Sequence, residues 1–79
     1  MTYFRSAEDL NAEIANRVRL KRLAKGMGIA EFASSLDVTQ EYVVKLESGI
    51  IHFSAALIFT IAESLEEPIA AFFPSGTEI

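Results

Sequence analysis

Residues 29–49, IAEFASSLDVTQEYVVKLESG, decide how this chain folds. Ile29, Phe32, Ala33 and Leu36 recur at the three- and four-residue spacing of one helical face, and Asp37 stands where that face ends. Asp tolerates left-handed backbone better than most residues, though less well than Gly, so it suits a sharp reversal. Thr39 then caps a second short helix, from Gln40 to about Ser48, with Val43 and Leu46 inward and Gly49 as terminator. The outer face of that helix carries Gln40, Glu41, Val44 and Lys45. Two helices joined by a tight turn leave the second protruding, and a rod of that width fits the major groove of B-DNA.

Working outward toward the N-terminus, Ser6-Ala7-Glu8-Asp9 has the capping-box form, a hydroxyl followed three residues later by a carboxylate. Leu10, Ile14 and Val18 keep helical spacing, and Glu13 precedes Arg17 by four residues. A first helix is expected over residues 7–25, stopping at Gly26 or Gly28. Arg17, Lys21 and Lys25 share one of its faces, which reads either as a solvated face or as a phosphate-facing ridge. Toward the C-terminus, residues 50–53 form a loop, Ser54 caps a helix over residues 55–65, and Pro68 opens a fifth helix that ends at Phe73 and Pro74. The last six residues, PSGTEI, are expected to fray. The expectation is an all-α fold, a compact five-helix domain whose second and third helices form the helix-turn-helix. Its parts are an N-terminal extension of the first helix over residues 1–13, the domain over 14–73 and a tail over 74–79.

Composition narrows the function. A chain of 79 residues has room for one domain, and it buries only about 60–65% of its unfolded surface. Its apolar fraction of 51% is generous for that size and suggests cover by a second subunit. The absence of cysteine excludes disulfides and thiolate metal sites, and the lone His52 cannot build a metal site with dispersed carboxylates, so no metal or cofactor is expected. Arg5, Glu8 and Asp9 interrupt any leader-like N-terminus, and the longest apolar run, residues 55–61, is too short to cross a bilayer. A cytoplasmic protein with no membrane contact is expected. The net charge of −4 opposes binding to phosphate, but five of the seven basic residues fall between Arg17 and Lys25. Binding responds to the local potential within a Debye length of about 8–10 Å, so the total charge does not exclude a specific site.

The order of these features resembles the lambda-repressor/Cro-like (XRE-type) helix-turn-helix family over residues 14–73, about three quarters of the chain. The matching residues are Val18 and Arg22, Gly26-Met27, Phe32-Ala33, Val38-Thr39, Val43 with Leu46-Glu47-Ser48-Gly49, and Ile61-Ala62 with Leu65. The resemblance implies double-stranded DNA as partner. It assigns Arg22 and Glu47 to an ion pair that locks the first helix against the end of the third, and it requires Ala33 to stay small. Gln40, Glu41, Val44 and Lys45 fall on the face that family members turn toward base edges. Gln can pair bidentately with adenine, Lys can donate to guanine, Val can meet a thymine methyl, and Glu can accept from a cytosine amino group. Thr39 leaves the first amides of its helix near a phosphate. His52 lies in a loop that contacts phosphate in the family, and Arg17 and Lys21 complete the expected DNA-binding set.

Three departures reduce the phosphate anchors. The second helix opens on Gly28 and Ile29 where relatives carry Ser or Thr followed by Gln, the turn holds Asp37 in place of Gly, and the later loop reads Ile50-Ile51-His52-Phe53. Leu57, Phe59, Ile69 and Phe73 exceed what one small core uses, and they are expected to look outward as a homodimer interface, unless Leu57 and Phe59 pack under Tyr3, Phe4 and Leu10. The leading expectation is a homodimeric transcriptional regulator on a pseudo-palindromic operator, of phage-repressor or restriction–modification-controller type, with no small-molecule effector domain. The alternative is a protein-binding module with a degenerate helix-turn-helix, an antirepressor or antitoxin. No nucleophile–base pair, metal cluster or phosphate-binding Gly loop supports an enzyme.

Overall fold

The computed structural model describes residues 6–74. Four α-helices follow one another, α1 (Ala7–Ala24), α2 (Ile29–Leu36), α3 (Gln40–Glu47) and α4 (Ala55–Leu65), and a 3-10 turn (Ile69–Phe72) completes the chain. No strand occurs among the described residues, and no helix in them is long and apolar enough to cross a membrane.

Local chemistry sets the ends. The hydroxyls of Ser6, Thr39 and Ser54 each accept the amide of the residue three positions on, which starts α1, α3 and α4. Gly28 starts α2 without a side-chain hydrogen bond. Each helix ends in the same way. Gly26, Asp37, Gly49 and Glu66 take positive φ angles of 70°, 58°, 82° and 55°. The next residue's amide then reaches back five positions, Met27 to Arg22, Val38 to Ala33, Ile50 to Lys45 and Glu67 to Ala62, at 3.0–3.1 Å.

These stops fold the helices around one core. The α2 helix packs on α3 and α4, while α1 crosses α3, α4 and the 3-10 turn. Val18, Phe32, Val43, Leu46, Ile61, Leu65 and Phe72 are all sealed from solvent. Ala33 is buried among them, and the Ser35 and Ser64 hydroxyls, 2.6 Å apart, join α2 to α4.

Three expectations change. The segment after Pro68 is a single 3-10 turn of four residues, so there are four α-helices and not five among the described residues. Its bonds are i→i+3, from the Ala71 amide to the Pro68 carbonyl at 2.9 Å and from the Phe73 amide to the Ala70 carbonyl at 3.2 Å, and Phe72 is buried by that one turn. Leu57 and Phe73, expected to look outward, are partly buried against the core. Pro74 is buried, so the tail expected over 74–79 does not begin there. Residues 75–79, and the Tyr3 and Phe4 proposed to cover Leu57 and Phe59, lie outside the described residues.

Candidate functional site

The orientation of α3 is set by one buried ion pair. Arg22 Nε and Nη2 donate to Glu47 Oε2 and Oε1 at 2.7 and 2.9 Å, and Nη1 donates to the Met27 carbonyl at 2.8 Å. Both side chains are 7% exposed. The guanidinium fork thus uses each of its three nitrogens on α1's side of α3, with a planar geometry that fixes direction as well as distance. The hydrogen bonds that Arg22 donates to the Glu47 carboxylate raise its pKa, against the opposing effect of burial.

With α3 so held, Val43 and Leu46 face the core and Gln40, Glu41, Val44 and Lys45 face solvent. Thr39 is exposed and its hydroxyl is occupied by the Tyr42 amide at 3.1 Å. The Gln40 and Glu41 amides have no acceptor among the described residues. The face thus presents an amide side chain, a carboxylate, a β-branched methyl pair and an ammonium over about two turns. That mixture can read hydrogen-bond donors, acceptors and methyl groups along a groove floor.

The cations of α1 divide between two flanks. Arg17 donates to Glu13 at 3.0 Å and reaches the Ala71 carbonyl at 3.5 Å. Lys21 and Lys25 lie 3.4 and 3.7 Å from the two carboxylate oxygens of Glu67. Arg17 and Lys21 therefore line the groove beside the 3-10 turn with their charge partly offset. Arg19, two residues from each, falls on the other flank. It is exposed and lines a groove with Ile29, Val44 and Ser48. Arg19 and Lys45 are the two cations without a carboxylate partner among the described residues 6–74. Sequence reasoning missed Arg19, although it lies one helical turn before Arg22, the residue already assigned to α3's side.

His52 is exposed in the loop after α3. Of the four residues assigned to a subunit interface, Phe59 and Ile69 are exposed, at 55% and 38%, and Leu57 and Phe73 are engaged by the core. No cluster of His, Asp and Glu able to hold a metal occurs among the described residues.

Comparison with known proteins bears on this geometry. The sequence profile of the HTH_3 family, described as helix-turn-helix, matches residues 18–72. An uncharacterized HTH-type transcriptional regulator of Rickettsia conorii is 32% identical over 66 residues, covering 84% of this chain and 53% of its own length. The chain thus spans about half the length of the curated relatives it matches. Among solved structures, the clp gene regulator ClgR of Corynebacterium glutamicum superposes with a TM-score of 0.77 at 25% identity, over 80% of this chain and 82% of that one. The restriction-modification controller protein C.AhdI of Aeromonas hydrophila gives 0.73 at 26% identity, over 78% and 94%.

Proposed function

Because the chain belongs to the XRE-type helix-turn-helix family HTH_3, we propose that it is a sequence-specific DNA-binding regulator acting as a homodimer on a pseudo-palindromic operator. The observation that carries this reading is the distribution of charge. Three α1 cations are offset by Glu13 and Glu67, whereas Arg19 and Lys45 stay uncompensated around the outer side of α3. Among the described residues, a chain of net charge −4 thereby keeps its uncompensated positive charge at the face that would approach DNA.

In this reading Gln40 and Lys45 read base edges, Val44 meets a thymine methyl and Glu41 selects against bases without an amino group to offer. Arg19 and the amides after Thr39 hold phosphates, and His52 meets the backbone from the loop. Arg19 takes the anchoring role for which Gly28 and Ile29 have no side chain suited. Phe59 and Ile69 form the centre of the subunit contact, and residues 14–73 form the domain that carries both surfaces.

The exposed Glu41 and the bare start of α2 favour a second reading, a protein-binding module that has kept the fold without DNA affinity. Titration of mixed-sequence duplex DNA over a salt series separates the two. Binding that falls with salt along a clearly negative log–log slope supports the regulator, and absence of binding at about 50 mM salt supports the module.

A further inference from the structure

We infer that Asn11 is a positioning residue of the DNA interface, a buried carboxamide on α1 that holds residues 49–53 so that the loop after α3 presents alternate residues to a phosphate. The inference rests on the DNA-binding reading above and adds a part of the chain that lies before the matched family segment.

Asn11 and Arg22 are the two polar residues buried as a whole, backbone included, among the described residues. Arg22 has Glu47 as its partner, and Asn11 has the loop. Its Nδ2 donates to the Gly49 and Ile51 carbonyls at 3.3 and 3.1 Å, and its Oδ1 accepts the Phe53 amide at 2.8 Å. Both amide hydrogens and the carbonyl oxygen of the side chain are therefore spent on the backbone of one five-residue segment. A residue needed only to fill space could be aliphatic, as the neighbouring Ile14 and Ala15 are, because a buried amide is tolerated only when bonded.

The bonding pattern sets which way the loop faces. Residues 49, 51 and 53 are bonded to Asn11 and half-buried, and Ile50 and His52 between them are exposed. A Cβ added to Gly49 would stand 3.8 Å from the Ala12 Cα, so this loop lies directly on the α1 backbone. Its other end is tied to α3, since the Ile50 amide donates to the Lys45 carbonyl at 3.0 Å. One side chain in the second turn of α1 thus fixes the segment that continues the reading helix past Lys45. The loop carries no Lys or Arg, so its use at a phosphate depends on being held in place before binding and not on net charge.

The test uses the full chain and a duplex enriched from a random library, with affinity measured by fluorescence anisotropy across salt. Four proteins are compared, wild type, Asn11→Ala, His52→Lys and the double variant. The His52→Lys variant, at an exposed position, should tighten binding and steepen the log–log slope by about one. Asn11→Ala should weaken binding about tenfold on all sequences alike, the scale of re-ordering a few loop residues on association. The order of base preference should be unchanged, and the gain from His52→Lys should shrink in the double variant. Amide exchange should speed at Phe53 and stay slow at Val43 and Leu46, which a general loss of fold would not do. Should Asn11→Ala not fold, Asn11→Asp keeps the Phe53 acceptor and loses both donors to Gly49 and Ile51, and it carries the same expectation for binding and for the His52→Lys gain. Asn11→Ala that binds as wild type while Phe53 exchanges freely overturns the positioning role alone, as does His52→Lys with an unchanged slope. Wild type that binds no duplex overturns the DNA reading and this inference with it.

Discussion

Arg22 and Glu47 are worth more as a constraint than as a source of stability. Two charges removed from water regain their solvation cost only through the fork of hydrogen bonds between them, so the intact pair adds little, while breaking it on one side leaves a buried charge alone. Glu47→Gln is therefore expected to lower unfolding free energy by about 3–5 kcal/mol in urea denaturation, although it changes only a few atoms. The folded pKa of Arg22 is raised, so its contribution is complete below the unfolded value and is lost only as pH rises through the folded one. Stability measured across about pH 6–9 should carry no slope from this group. This pair was legible in the sequence because both partners are ionisable and stand in a recognisable register. Asn11 was not, since its three partners are backbone atoms and no residue type at 49, 51 or 53 advertises them. Arg17 and Arg19 are the same residue two positions apart, yet Glu13 one turn earlier offsets Arg17, and the tertiary approach of Glu67 offsets Lys21 and Lys25 on that flank while the other stays free.

At the scale of elements, the fold is a set of four helix stops as much as four helices. Each stop uses a left-handed residue, glycine in two and Asp37 and Glu66 in the others. Glycine at 26 and 49 announces its turn, and Asp37 was readable because two helical faces meet across it. The end of α4 was placed by its apolar periodicity, but nothing in a glutamate signals a left-handed conformation. Its Cβ strains there, so Glu66→Gly should raise stability by roughly 0.5–1 kcal/mol, the relief being partly offset by the freer unfolded chain. A higher urea midpoint at unchanged m-value is the expected result. The fifth element was misjudged for a related reason. Pro68 and a following apolar run read equally as a helix or as one turn, and the choice fell to Phe72, whose burial is satisfied by four residues.

For the whole molecule, the eight residues of α3 span about 12 Å, which covers three or four base pairs at 3.4 Å each. One copy cannot specify a site on that length, and a two-fold pair would set a second α3 about 34 Å away, one turn of DNA along. Phe59 and Ile69 supply exposed apolar surface for the pair. Wild type at micromolar concentration is expected to sediment at about twice 8.7 kDa, and Phe59→Ser at the single mass. The central claim, that the outer face of α3 reads base edges, is tested most directly by selecting bound duplexes from a random library with wild type and with Gln40→Ala. The account predicts an enriched site of two half-sites, with Gln40→Ala relaxing the preference at one base pair of each by about 1–3 kcal/mol and leaving the others unchanged. Enrichment of no sequence, or a uniform weakening by Gln40→Ala at every position, would contradict it.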